Sequence, residues 1–162
     1  MTAATDTSQA RYAGPPFDEA RVYDAMRVGV VTCRPETSVH DVARMMVTYQ
    51  MHAIVVQDVE PDSRPWGIVT SLDIAGSSES DLSELRAQDI ATKDLVTVPS
   101  NETLQDAAKL MAEHGITHLI VVEPATDWPC GVLSARDLAA VLTASPASIL
   151  KRYGAAAVSR SD

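Results

Sequence analysis

Aromatic rings are scarce in this 162-residue chain: one Phe, two Trp and four Tyr, 4% in all. A core with so few rings has to be filled by Val, Ile, Leu, Ala and Met, within an apolar fraction of 46% and a charged fraction of 22% that suit a globular protein. Basic residues are also in deficit, 13 Lys and Arg against 22 Asp and Glu, for a net charge of -9 and a pI near 4.8. A negative surface repels phosphate backbones and anionic lipid, so neither nucleic acid nor a membrane is expected as a partner. A local basic pocket can still hold a small anion, because net charge does not describe a cleft. No apolar run approaches the ~18 residues of a membrane span. The opening MTAATDTSQARYAGPP lacks the apolar stretch of a secretion signal, so a cytoplasmic location is expected.

Only two cysteines occur, Cys33 and Cys130. Their spacing is compatible with a disulfide, but two partly buried thiols in a reducing cytosol is the plainer reading. The motifs G-x-S-x-G, H-E-x-x-H and C-x-x-C and the Walker loop are all missing, and four scattered histidines argue against a zinc site.

What is present is a duplication. VVTCRPETSVHDVARMMVTYQMHAIVV (30–56) lies over LVTVPSNETLQDAAKLMAEHGITHLIV (95–121) at an offset of 65. Thr32 meets Thr97, Ser38 meets Thr103, Asp41 meets Asp106, Arg44 meets Lys109 and Met46 meets Met111. PWGIVTSLD (65–73) then meets PCGVLSARD (129–137) at an offset of 64, one residue having been lost in the loop between. Each copy begins with a short strand ending near a Pro. A helix follows, capped by Ser38 or Thr103 with an Asp three positions on. Val39, Val42, Ala43, Met46 and Val47 then recur at helical spacing, as do Leu104, Ala107, Ala108 and Met111. Two buried-type strands and a short helix close the copy. A β-α-β-β-α unit of this size buries its own sheet poorly, and two such units packed sheet to sheet solve that problem.

The boundaries expected are a flexible tail over 1–17, the first repeat with a lead-in helix over 18–76, a docked, partly helical linker over 77–88, the second repeat over 89–143 and a fraying tail over 144–162.

The doubled GIVTSLD and GVLSARD, with DAM at 24–26, the VVT and LVTVP strands and the AIVVQ and HLIVVE strands, resemble a tandem pair of cystathionine-β-synthase (CBS) domains, the Bateman module. The resemblance covers about residues 20–143. It implies an α+β pair of repeats related by a pseudo-two-fold axis, with two clefts between them for adenosine-containing ligands: AMP, ADP, ATP or S-adenosylmethionine. It implies a sensor that passes its signal to a partner protein and has no catalytic residue. No second domain to be regulated in cis is expected, so the output is expected to fall to a separate protein or to the chain's own oligomer. The main helices, with Met45, Met46, Met51, Leu110 and Met111, either complete the core or meet a second copy in a homodimer.

Two readings of the strand-to-helix motif stand side by side. Thr70-x-x-Asp73 and Ser134-x-x-Asp137 are helix caps in their own right. They also place a hydroxyl beside a phosphate position and a carboxylate where a ribose diol could donate to it. Gly67 and Gly131 would let something approach each strand closely. Arg136 replaces Leu72 in the second copy, so the site with Thr97, Val98, Pro99, His118, Ser134, Arg136 and Asp137 is expected to favour phosphorylated ligands. The first site, with Thr32, Cys33, His52, Thr70 and Asp73, suits an uncharged tail or nothing. By resemblance, Val31–Cys33 and Val96–Pro99 are candidates for the adenine slot. Gly115, where the first copy has Gln50, predicts a tighter turn and a less open cleft in copy one. Two other functions remain open: a ligand-free dimerisation or scaffold module, and a small enzyme using paired acids such as Asp73 and Asp137.

Overall fold

The computed structural model describes residues 12–60 and 62–144. The element order is α1 (Val22–Ala25), β1 (Arg27–Val28), β2 (Thr32–Cys33), α2 (Val39–Tyr49), β3 (Ala53–Val56), β4 (Gly67–Thr70), α3 (Ser71–Gly76), α4 (Ala87–Ile90), β5 (Thr97–Pro99), α5 (Leu104–His114), β6 (His118–Val122), β7 (Pro129–Ser134) and α6 (Ala135–Ala144). The duplication thus folds as two β-α-β-β-α units. The sheets run β2-β3-β4 and β1-β7-β6-β5. In each, the first strand of the repeat pairs parallel with the second, and the second antiparallel with the third.

Side chains alternate across a strand, and this alternation sorts the core. Ile54, Val56 and Val69 face the first repeat's helices with Val42 and Met46. Leu119, Val121 and Leu133 face the second repeat's helices with Leu104, Ala107 and Met111. The opposite faces, Ala53, Val55, Ile68, Ile120, Val122 and Val132, meet between the sheets. The order of layers is helices, sheet, sheet, helices. Helix starts follow the expected caps: Ser38 Oγ accepts from the Asp41 amide at 3.1 Å and Thr103 Oγ1 from the Asp106 amide at 3.0 Å. Val47 departs from its expected core role, standing 79% exposed on α2.

The lead-in segments exchange places. The segment expected to join the first repeat docks on the second: Val22 and Tyr23 donate to the carbonyls of Glu102 and Ser100, and Leu104 donates to Ala20. The linker does the converse, with Ala87 and Gln88 donating to Thr37 and Pro35, and Val39 to Leu85. Arg21 bridges Thr103 as Arg86 bridges Ser38. Before α4 the linker is a string of turns rather than helix. Tyr12 and Phe17, placed in the expected tail, pack against the second repeat's core. Residues 1–11 and the expected tail beyond 144 lie outside the described residues.

This exchange explains the glycines before the motif. A Cβ on Gly131 would stand 2.5 Å from the Arg27 carbonyl oxygen, and one on Gly67 3.1 Å from Ala91 Cβ. The close neighbour is the other repeat's lead-in strand. At the far end of the sheets the two hairpin loops meet, where the Arg64 guanidinium lies 5.7 Å from the Trp128 ring centroid and donates to the Asp127 carbonyl at 2.8 Å. No helix among the described residues is long and apolar enough to cross a membrane.

Gly131→Ala is expected to destabilise the fold by about 1–3 kcal/mol through overpacking against fixed backbone. Gly67→Ala, whose nearest neighbour is a methyl group, should cost under about 1 kcal/mol. Urea melts of both variants check the order; equal midpoints would mean that the lead-in strand is not held against β7.

Candidate functional site: two inter-repeat clefts

Four helices carry an Asp at their third position that accepts from the N-cap amide: Asp24 from Arg21 at 2.8 Å, Asp73 from Thr70 at 2.7 Å, Asp89 from Arg86 at 2.8 Å and Asp137 from Ser134 at 2.8 Å. Arg21 and Arg86 have no hydroxyl, yet the same bond forms. Capping therefore accounts for each Asp on its own. At the two motif junctions the hydroxyl adds to it, with Thr70 Oγ1 and Ser134 Oγ each donating to the same Oδ2 at 2.8 Å. Among the described residues nothing donates to Oδ1 of Asp73 or Asp137, so each carboxylate keeps one oxygen available.

The clefts are assembled across repeats. One, hereafter cleft A, has a volume of about 180 Å³ and joins Ile68, Thr70 and Asp73 to Thr92, Asp94, Leu95, Val96, Ile116 and His118 of the second repeat. The other, cleft B, is a notch of about 30 Å³ joining Ser134, Asp137 and Val132 to Arg27, Met51, His52 and Ala53. The swapped lead-ins thus supply one wall of each cleft. Thr32, Cys33, Thr97, Val98 and Pro99 line neither. Their strands, β2 and β5, are the outer strands of their sheets. Cys33 and Val98 are buried, in the first and second helix-side cores respectively. The wall residues lie slightly upstream, at Leu95 and Val96, and they face the motif of the opposite repeat.

The clefts differ in charge. Asp73 and Asp94 line cleft A, with no Lys or Arg. Cleft B gathers Arg27 and Arg136 around His52, with Asp137 as its carboxylate. Arg136 Nη1 lies 3.3 Å from His52 Nε2; guanidinium has no acceptor, so this contact requires Nε2 to be unprotonated. Arg27 Nη1 donates to the Gln50 carbonyl at 3.4 Å. Among the described residues the ion pairs are Arg44 with Asp41 and Lys109 with Asp106, with His40 Nδ1 3.7 Å from the Asp41 carboxylate, so neither cleft arginine meets a carboxylate. Arg27 carries no mark in the sequence: its counterpart at an offset of 65 is Thr92, and a lone Arg before a strand gives no signal.

The two histidines are not counterparts. Ala53 opens β3 as His118 opens β6, and these residues pair with Thr70 and Ser134. His52 matches Thr117: their carbonyls accept from Ser71 and Ala135 respectively. His118 lines both clefts, with Nδ1 2.9 Å from Thr117 Oγ1. Burial holds its pKa below the ordinary imidazole range, partly countered by Asp137. The turn expectation also changes. Gln50 adopts φ 52° and Gly115 φ 62°, both left-handed helix ends, so the turns match. A groove of about 760 Å³ opens beside Gln50. Both cysteines are free thiols, and no cluster of three or more His, Cys, Asp or Glu among the described residues could hold a metal ion.

These features define a class: paired α+β repeats, packed sheet to sheet, with two symmetry-related clefts. The CBS domain profile matches residues 22–79 and 87–144, and the chain belongs to the CBS domain family. It is 32% identical over 117 residues to a homoserine O-acetyltransferase of Methanocorpusculum labreanum, covering 72% of this chain and 23% of that one. The chain spans about a quarter of the length of the curated relatives it matches first. A CBS domain pair solved with 5'-methylthioadenosine and S-adenosyl-L-methionine superposes with a TM-score of 0.67 at 19% identity, over 76% of this chain and 96% of that one. A CBS domain protein of Pyrobaculum aerophilum solved with AMP has a TM-score of 0.67 at 25% identity, over 82% and 97%.

Two expectations follow from this chemistry. Unfolded His118 takes a proton near 6.5 and the folded residue only at lower pH. Acidification through that window therefore favours the unfolded chain. Tm should fall between pH 7.5 and 5.5 by more in the parent protein than in His118→Gln; parallel curves would mean a hydrated imidazole. Cys33, pushed up to about 11 by burial, should be alkylated in the native protein at pH 8 at least about tenfold more slowly than Cys130, as read by peptide mass spectrometry.

Proposed function

We propose that this chain is a non-catalytic regulatory module that binds adenosine-containing ligands in the clefts between its CBS repeats and passes the signal to a partner protein. The observation that carries this reading is the free Oδ1 of Asp73 and of Asp137, each at a cleft wall beside a hydroxyl. A ribose diol donates two hydrogen bonds to such a carboxylate. The AMP bound by the Pyrobaculum protein gives this ligand class its support.

In this reading cleft B, with Ser134, Asp137, Arg136 and His118, and with Arg27 and His52 added from the opposite side, takes phosphorylated ligands such as AMP, ADP or ATP. Two unpaired guanidiniums favour phosphate there, and the notch widens to admit the sugar. Cleft A, with Thr70, Asp73, Leu95 and Val96, takes an uncharged or cationic tail, because Asp73 and Asp94 repel phosphate. S-adenosylmethionine, a sulfonium, fits that charge. The strands carrying Thr32, Thr97 and Pro99 support the cleft walls rather than touching the ligand. Exposed Tyr49 and Leu72 offer apolar surface for a homodimer, and free thiols in an acidic chain suit the cytoplasm.

Thermal-shift and calorimetric titration with AMP, ATP, S-adenosylmethionine and NAD tests the proposal. AMP or ATP should raise Tm, and Asp137→Asn should weaken their binding about tenfold or more, with a smaller effect from Asp73→Asn. The reverse order would move the phosphate to cleft A. No shift with any of the four would favour a ligand-free scaffold instead.

A further inference from the structure

The groove beside Gln50 is larger than either cleft and lies outside the space between the sheets. It is lined by Ala43, Met46 and Val47 of α2, Met51, and Ser71 and Ile74 of α3. Arg27, Met51, His52 and Arg136 line both this groove and the notch of cleft B. Two guanidiniums and an imidazole therefore stand at the inner end of an aliphatic trough. Its volume, about 760 Å³, lies within the usual range for small-molecule sites.

We infer that the groove binds a phosphate monoester with an aliphatic body, its head at Arg27, His52 and Arg136 and its chain along Met46, Val47, Met51 and Ile74. Charge complementarity selects the head. In a chain of net charge -9, two arginines with no carboxylate partner among the described residues line the same space as one imidazole, and a tetrahedral phosphate has oxygens enough to accept from more than one fork. Asp137, the carboxylate at the notch, already accepts from Ser134 through Oδ2. The walls select the body. Among the described residues they contain no Phe, Tyr or Trp to stack on a base, and Gln50 and Ser71 are the uncharged polar residues beside Arg27, His52 and Arg136. Thioether and branched aliphatic side chains suit a flexible alkyl chain, which needs burial and no directional bond. The groove, at about 760 Å³ against about 30 Å³ for the notch, is where the chain has room to lie. Arg27, His52 and Arg136 are also the residues proposed above to take a nucleotide's phosphate, so the two ligands compete for them; the Asp137 carboxylate serves the nucleotide alone and the aliphatic trough the alkyl chain alone.

Calorimetry of the full chain with octyl phosphate, inorganic phosphate and AMP tests the inference. Octyl phosphate should bind at least about tenfold more tightly than inorganic phosphate, through the buried chain. Arg136→Gln and Arg27→Gln should each weaken it about tenfold. Val47→Asp, at an exposed position, should abolish octyl phosphate binding and leave Tm and AMP binding intact. Equal affinity for inorganic and octyl phosphate would overturn the site. Unchanged octyl phosphate binding in Val47→Asp would do the same. A dimer in sedimentation that Val47→Asp dissociates, with no octyl phosphate bound, would assign the groove to a second copy of the chain. Failure of AMP, with octyl phosphate still bound, would count against the proposed adenosyl function alone.

Discussion

The apolar layer between the two sheets is the constraint on which the rest depends. Each repeat has one pair of helices and a sheet with two apolar faces. The helices cover one face only. Ala53, Val55 and Ile68 on one sheet and Ile120, Val122 and Val132 on the other are nearly inaccessible because they cover each other. A single repeat would leave three such side chains in water, at about 1.5–3 kcal/mol for a fully exposed Val or Ile. Duplication removes that penalty at both faces together.

Packing alone would leave the two halves as separate bodies in contact. The exchanged lead-ins tie them: residues 20–23 hydrogen-bond around the start of α5, and residues 85–88 around the start of α2. The same crossing creates the clefts. Each lead-in passes over the glycine of the opposite repeat and stops beside its hydroxyl–acid pair. The residues that line each cleft are consequently drawn from both halves, and the lead-in that arrives adds its own charge to the motif's. Arg27 brings positive charge to cleft B, and Asp94 brings negative charge to cleft A. A near-symmetric fold thus acquires two unlike sites from the two lead-ins together with Arg136, which stands where the first copy has Leu72.

The repeat, its strand and helix order, the Ser38 and Thr103 caps and the sheet-to-sheet packing were legible because each has a local signature of period, spacing or residue type. The Thr70–Asp73 and Ser134–Asp137 pairs were legible for the same reason. What lay beyond the sequence was topological. Thr32 and Thr97 align within their repeats, and alignment places them beside the motif of their own copy; the fold puts those strands at the outside of each sheet. No spacing rule reveals that a lead-in crosses over, so Arg27, Thr92 and Asp94 carried no mark. The glycines are points of close approach, but what approaches is the other repeat's lead-in: the Arg27 backbone at Gly131 and the Ala91 methyl at Gly67. His52 and His118 stand in nearby places in the two copies, and strand register offsets them by one residue: Ala53, not His52, pairs with Thr70 as His118 pairs with Ser134.

The crossing of residues 20–28 has a consequence for how such a module can be divided or transplanted. A cut at residue 77 would give two fragments of nearly equal length, each resembling one repeat in sequence. Neither would be a domain. The first would carry a lead-in whose acceptor is gone, and would expose the start of α2 where Leu85 and Ala87 now lie. The second would lose β1 from its sheet and leave Val98 and Leu104 without Ala20 and Val22. The heritable unit is the interlocked pair.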